Sequence, residues 1–259
     1  MKTIRIALAQ INTTVGDIKG NRAKMEASYK EANASGADLV VYPELSLCGY
    51  PPEDLLYRKK FVADCASELK AFAKTIGNCI AIAGAPIIRN GQLFNGAAVI
   101  HKGGIKALYN KILLPNYSVF DEKRYFSAGD TALLLDCLGV KIGVTVCEDL
   151  WHSDGPANTL LAENAELIVN LSASPYYRAK IREREKLFSG LCKGSGTVLA
   201  YCNQVGCQDE LIFDGGSFVI DANGKTIARA PQFGESLLIA DVALGKEKKD
   251  ISGVRLHGC

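Results

Sequence analysis

Val140-Lys141-Ile142-Gly143-Val144-Thr145-Val146-Cys147-Glu148-Asp149-Leu150-Trp151 opens as a short apolar run and closes on a thiol, two carboxylates and an indole. A run of this length, rich in β-branched residues, predicts a strand buried on both faces. Leu167 to Leu171 repeats the pattern after an interval that holds a helix. Doubly buried strands belong to sheets covered by helices, so the two runs point to an α/β fold.

Toward the amino terminus, Ile4 to Gln10 predicts a first strand, Asn21 to Ala34 a helix stopped at Gly36, and Asp38 to Tyr42 a second strand. Leu55, Leu56, Phe61, Val62, Cys65, Leu69, Phe72 and Ile76 recur at helical spacing, which predicts one amphipathic helix from Asp54 to Ile76, ended by Gly77. Cys79 to Ala83, Ala97 to His101 and Ile105 to Asn110 are further strands, the last two joined by a Lys102-Gly103-Gly104 turn. Toward the carboxyl terminus, Arg178 to Leu191 predicts a helix whose Arg182, Glu183, Arg184, Glu185 and Lys186 form a solvated, locally paired face. Strands follow at Val198 to Cys202, Ser217 to Ile220, Thr226 to Arg229 and Leu237 to Asp241, with Asn223-Gly224 as a hairpin turn. Mixed sheets covered by helices are expected over residues 4–242, without internal repeat or interdomain linker. Residues 243–259, which include Lys246-Glu247-Lys248-Lys249-Asp250, read as a polar tail or the stump of a linker.

Composition removes several function classes. A chain of 259 residues with 48% hydrophobic content has material for a full core. Its formal charge of +2 gives no reason to expect a nucleic-acid or membrane-surface partner. No segment approaches the roughly 20 apolar residues that span a bilayer, and the first strand is too short for a signal peptide. Nine cysteines, an odd number scattered through apolar stretches without a C-x-x-C pair, do not form a disulfide framework. With three histidines as the available nitrogen ligands, no metal site is expected. Reduced thiols place the expected compartment in the cytoplasm.

Three reactive residues sit at or near strand ends. Glu44 follows the second strand in Tyr42-Pro43-Glu44-Leu45, Lys111 follows the strand that ends at Asn110, and Cys147 follows Val146. Loops beyond strand ends are where α/β folds gather functional groups. A thiol attacks well only when its proton is removed, and a partly desolvated carboxylate can remove it. An ammonium can stabilise the oxyanion of a tetrahedral intermediate. Together the three supply nucleophile, base and oxyanion stabiliser for amide cleavage. Singly, each has an ordinary explanation: an inert core thiol, an exposed or capping carboxylate, a solvated lysine.

The sequence around these residues resembles the nitrilase, or carbon–nitrogen hydrolase, superfamily, and within it the amino-terminal glutaminase domain of glutamine-dependent NAD synthetases. The resemblance is carried by Ala9-Gln10, by YPELSLCGYPPEDLL from Tyr42, by NKILLPNYSVFDEKRYFSAG from Asn110, by VCEDLW from Val146 and by NLSASPYYRAK from Asn170. It runs from about Ile4 to Val242. It implies an α-β-β-α sandwich with two mixed sheets packed face to face, usually paired into a homo-oligomer.

As the resemblance has it, Glu44 is the general base, Lys111 the oxyanion stabiliser, Cys147 the nucleophile and Glu122 a second glutamate supporting the lysine. The Glu148 N–H is the second oxyanion donor, and Tyr50, Tyr117, Phe120, Glu148, Ser174 and Lys180 make the substrate pocket. Ala179 departs from the pattern, since many relatives have glycine before the lysine. The implied reaction converts the side-chain amide of glutamine to glutamate and ammonia, with no cofactor.

The Ser-Gly-Gly-x-Asp-Ser phosphate loop of the ATP-dependent synthetase domain is absent from the sequence, so the ammonia would serve an NAD synthetase domain or subunit outside this chain. Two other readings stay open. One is a free-standing amidase on another small amide, such as an ω-amide of a keto acid; the other is a catalytically silent scaffold that keeps the fold. A dinucleotide-binding protein is disfavoured, because no G-x-G-x-x-G follows the first strand.

Overall fold

The computed structural model describes residues 2–245. In chain order these form β1 (Lys2–Gln10), α1 (Ile18–Ala34), β2 (Leu39–Val41), α2 (Lys59–Thr75), β3 (Ile80–Arg89), β4 (Gln92–His101) and β5 (Gly104–Asn110). There follow β6 (Leu133–Cys137), β7 (Val140–Val146), α3 (Pro156–Ala162), β8 (Leu167–Ser172), α4 (Lys180–Ser195) and β9 (Val198–Asn203). The last strands are β10 (Val205–Gln208), β11 (Leu211–Asp214), β12 (Phe218–Ile220), β13 (Thr226–Arg229) and β14 (Ser236–Leu244).

Two six-stranded sheets result, in the orders β14-β1-β2-β3-β4-β5 and β13-β12-β9-β8-β7-β6, and β10 and β11 make a separate pair. Within the first sheet β1, β2 and β3 are parallel; within the second, β7, β8 and β9 are parallel. The antiparallel hairpins lie toward the sheet margins.

The two-residue strand period sorts side chains into layers. Ile4, Ile6 and Leu8 of β1 join Val140, Ile142, Val144 and Val146 of β7 and Leu167, Val169 and Leu171 of β8 in one cluster between the sheets. Ala7 and Ala9 point the other way, into a cluster with Met25 and Tyr29 of α1 and Leu69 and Phe72 of α2. On the outer side of the second sheet, Ile168 packs with Leu160 of α3 and with Phe188 and Leu191 of α4. Helices, sheet, sheet and helices therefore form four layers over three apolar seams, the α-β-β-α sandwich that the resemblance implies.

Local chemistry explains where elements begin and end. Asp17 accepts the Gly20 N–H at 2.9 Å, capping α1 and starting it at Ile18, ahead of the expected Asn21. Asn90 and Gly91, both at positive φ, turn β3 into β4, so these strands extend well past their expected bounds. The helix expected from Asp54 to Ile76 is two pieces. Glu53–Tyr57 forms a 3-10 turn, Arg58 is extended at φ −83° and ψ 104°, and α2 starts at Lys59. Apolar spacing continues across the break, so periodicity alone does not reveal it.

Strands β6, β10 and β11 lie where the sequence reading predicts none. β6 is a half-exposed edge strand, and β10 and β11 are short and lack an Asn-Gly turn. β14 continues to Leu244, two residues into the segment read as a tail; the rest of that segment, from residue 246, lies outside the described residues. Among the described residues no helix is long and apolar enough to cross a membrane, and no disulfide links their cysteines.

Candidate active site

At the end of β7 the backbone leaves the sheet abruptly. Cys147 adopts φ +44° and opens a 3-10 turn through Leu150. A non-glycine residue in the left-handed region costs conformational energy, and such positions cluster where a side chain must be presented away from its strand. The Cys147 thiol is buried; burial first, and then the Glu44 carboxylate, push its pKa well above the ordinary value, while Lys111 offsets them in part.

Glu44 reaches the same place from the first sheet. After β2 the chain turns through Pro43 to Leu45, which takes φ +46°. Gly84 of β3 makes that turn fit: a Cβ there would lie 2.3 Å from the Pro43 carbonyl oxygen and 2.4 Å from the Leu45 nitrogen. Lys111 follows β5 and has no exposed surface. Its Nζ lies 2.6 Å from Glu44 Oε1 and 2.8 Å from Glu122 Oε1. Burial alone would lower the Lys111 pKa, but Glu122 and Glu44 outweigh it and hold it well above the ordinary value.

Asn95 of β4 donates its amide N–H to Glu44 Oε1 at 2.7 Å and to Glu122 Oε2 at 3.3 Å. The Ala173 N–H donates to Glu44 Oε2 at 3.1 Å, and the Tyr50 hydroxyl to Glu122 Oε1 at 3.2 Å. Burial lifts the Glu122 pKa from 4.5 to about 7, with Lys111 lowering it and Glu44 raising it.

Above this cluster lies a cavity of about 400 Å³, within the range of small-molecule sites. Tyr117, Phe120, Cys147, Glu148, Ser174 and Lys180 all line it, as do Trp151, Val119 and Ile212. Tyr50 does not; it lies to the Glu122 side and borders an adjoining cavity with Pro51, Pro52 and Asp54. Glu148 Oε1 accepts the Tyr117 hydroxyl at 2.8 Å and lies 2.7 Å from His152 Nε2. The Lys180 ammonium sits 4.0 Å from the centroid of the Trp151 ring; burial lowers its pKa, and the nearby Arg184 adds to the lowering. Ala179, just before it, takes φ +71°, a left-handed conformation that glycine adopts without a Cβ penalty.

Arg184 corrects the reading of α4 as a solvated charged face. Its side chain has no exposed surface, forms an ion pair with Asp214 and bonds to Ser174 in the cavity wall. A Glu/Arg-rich helix signals solvation on average, but α4 turns this one position inward. Asn95 and Asp149 were also not legible as site residues. Asn95 carried one weak signal, an amide inside the apolar run Phe94 to Ile100.

Chemically, the cluster offers a thiol, two carboxylates and an ammonium in a space nearly closed to water. Low exposure strengthens each electrostatic contact, and a protonated thiol must give up its proton as sulfur attacks.

A family model described as carbon-nitrogen hydrolase matches residues 5–249. The chain belongs to the carbon–nitrogen hydrolase family. This family member is 43% identical over 246 residues to the glutamine-dependent NAD(+) synthetase of Thermotoga maritima, covering 94% of this chain and 43% of that protein. It is 44% identical to the enzyme of the same name from Synechocystis sp., covering 90% and 45%. The chain thus spans less than half the length of these relatives.

Among solved structures, the glutamine-dependent NAD+ synthetase of Acinetobacter baumannii superposes with a TM-score of 0.91 at 37% identity, covering 98% of this family member and 49% of that chain. An amidase from Nesterenkonia sp. AN1, bearing acrylamide at its active-site cysteine, superposes at 0.83 with 24% identity and 93% coverage of both chains. At that identity the amidase shows the shared sandwich alone.

Proposed function

We propose that this chain hydrolyses the side-chain amide of glutamine to glutamate and ammonia through a thioester on Cys147. The observation that carries the reading is the convergence of Glu44, Glu122 and the Lys111 ammonium beneath a cavity floored by that thiol.

The reaction has two halves. Glu44 takes the Cys147 proton as sulfur attacks the amide carbon, and the tetrahedral oxyanion is held by Lys111 and by the Glu148 N–H, which lies in the first turn of the 3-10 segment, where N–H groups lack helical partners. Collapse expels ammonia, which takes the proton from Glu44, and leaves the acyl group on sulfur. Water, deprotonated by Glu44, then attacks the thioester; glutamate departs and the proton returns to the thiolate. Glu122 and Asn95 keep Glu44 and Lys111 in register. Tyr50 supports Glu122, and Tyr117, Phe120, Glu148, Ser174 and Lys180 hold the substrate. The Glu148 carboxylate suits the α-ammonium of glutamine, and Lys180 suits its carboxylate. The chemistry needs no metal or organic cofactor.

The names of the relatives supply the rest of the proposal. Their coverage suggests that residues 4–242 correspond to one module of a longer synthetase, and that the ammonia serves an ATP-dependent NAD synthetase domain or subunit. The family fold favours a homo-oligomer.

Ammonia release from L-glutamine by the purified chain, with and without a candidate synthetase, tests the proposal. Release that disappears in Cys147→Ala is expected. Undiminished hydrolysis by Cys147→Ala would sink it, and so would equal use of simple amides that lack the α-ammonium and α-carboxylate.

A further inference from the structure

Arg184 and Asp214 form an ion pair in the wall behind the cavity, with no exposed surface on either side chain. Arg184 Nη1 donates to Asp214 Oδ1 at 2.8 Å and to Oδ2 at 3.0 Å. The rest of the guanidinium is directed at the chain around Ser174. Nη2 donates to the Ser174 carbonyl at 2.8 Å, to Ser174 Oγ at 3.1 Å and to the Pro175 carbonyl at 3.3 Å, and Nε donates to the same Oγ at 3.3 Å. Gln232 Nε2 closes the far side of Asp214 at 2.7 Å. The pair is therefore an oriented dipole, its positive end against Ser174 and its negative end toward Gln232.

Ser174 lines the cavity with Cys147 and Lys180. Its oxygen accepts from the guanidinium, which fixes the hydroxyl in the cavity wall. Arg184 also lies four residues after Lys180, on the same helix face. Two cations thus back one side of the cavity, one in its wall and one behind it. Hydrogen bonds from such groups are strongest to an ionised acceptor. A buried ion pair contributes little net stability compared with apolar packing, so stability alone does not account for this one.

We infer that Arg184 is a positioning residue that, through Ser174, makes the cavity select amides bearing a carboxylate. This rests on the amidase reading above and narrows its substrate class. Arg184 touches no reacting atom; it fixes the Ser174 hydroxyl and sets the sign of the potential where the anionic end of the substrate lies.

The test uses the whole chain with Arg184→Lys and with the paired change Arg184→Met/Asp214→Leu, which removes both charges together. For each, kcat and KM are measured with L-glutamine, with succinamate (carboxylate, no ammonium) and with butyramide (neither). In a Cys147→Ala background, binding of glutarate and of neutral glutaramide is followed through Trp151, the single tryptophan of the chain.

A rise in KM of about tenfold or more is expected for glutamine and succinamate in both variants, with kcat and butyramide turnover nearly unchanged. Glutarate affinity should fall in parallel while glutaramide affinity holds. Equal losses for charged and neutral compounds, or no loss for either, would overturn the inference. If glutarate binds in an Arg184-dependent way but no amide is cleaved by the unsubstituted chain, the amidase reading fails and the anion selectivity stands. If glutamine is cleaved with a KM indifferent to Arg184, the selectivity fails alone.

Discussion

The Asp149 carboxylate, two residues beyond Cys147, accepts the backbone N–H of Leu113, two residues beyond Lys111, at 2.8 Å. The same carboxylate accepts from the Ile112 N–H at 3.1 Å, the Val146 N–H at 3.0 Å and the Tyr109 hydroxyl at 2.7 Å. One buried side chain thereby ties the segment carrying the ammonium, from the first sheet, to the turn carrying the thiol, from the second.

Replacing Asp149 by Asn leaves the volume but turns one acceptor oxygen into a donor that faces donors. We expect a loss of about 2–4 kcal/mol in stability, seen as a lower urea midpoint, and a fall in kcat of about tenfold or more as Lys111 and Cys147 lose their common brace. An unchanged midpoint would show that the four hydrogen bonds are not coupled to folding.

Removal of the Lys111 charge by Lys111→Met leaves Glu44 and Glu122 together without a cation. Two buried carboxylates sharing a site cannot both remain ionised, so one takes up a proton. The expected outcome is a loss of amide hydrolysis of at least 10²-fold, by analogy with removing an oxyanion donor, together with destabilisation of about 3–5 kcal/mol. Single-turnover assays and chemical denaturation measure the two separately.

Glu122 should leave a mark on the pH dependence of stability. Its folded pKa, about 7, lies above the ordinary 4.5, so between those values the native state binds the proton that the unfolded chain has released. The contribution is complete below pH 4.5, declines as pH rises through the window and is gone above about 7. Its size is on the order of 3 kcal/mol. Glu122→Gln, which cannot ionise, should flatten that decline. Denaturation midpoints of both proteins across pH 5–8 provide the check; parallel profiles would refute it.

Ala179 carries a side chain at φ +71°, ahead of α4. Glycine bears no Cβ penalty there, although it loses more backbone entropy on folding. Ala179→Gly should stabilise the chain by a net ~0.5–1 kcal/mol, detectable as a rise in Tm with little effect on kcat. A lower Tm would mean that the alanine methyl packs productively.

Much of the architecture was legible because burial writes itself into sequence. The β-branched runs at Val140–Val146 and Leu167–Leu171 read as doubly covered strands, and they form β7 and most of β8. Edge strands such as β6, half solvated and weakly patterned, leave no such trace, and neither does the break at Arg58. For the site, Glu44, Lys111 and Cys147 stood out through residue type and strand-end position together with their flanking motifs. Asn95, Asp149 and Arg184 did not, because each acts by a hydrogen bond made across the fold. A helix rich in Glu and Arg looks the same in sequence whether one arginine faces water or a buried aspartate.

Strands β1 and β14 run side by side in opposite directions, Lys2 opposite Leu244 and Gln10 opposite Ser236. Because β1 is parallel to β2, which leads into Glu44, the Gln10 end lies at the pole of Glu44 and Cys147 and the Leu244 end at the other. Lys2 and Leu244 therefore sit together at the antipode of the thiol. Nine strand residues at about 3.3 Å each separate the two poles by roughly 30 Å. Changes to the chain around Lys2 and Leu244 therefore act across the full length of the sheet from the thiol.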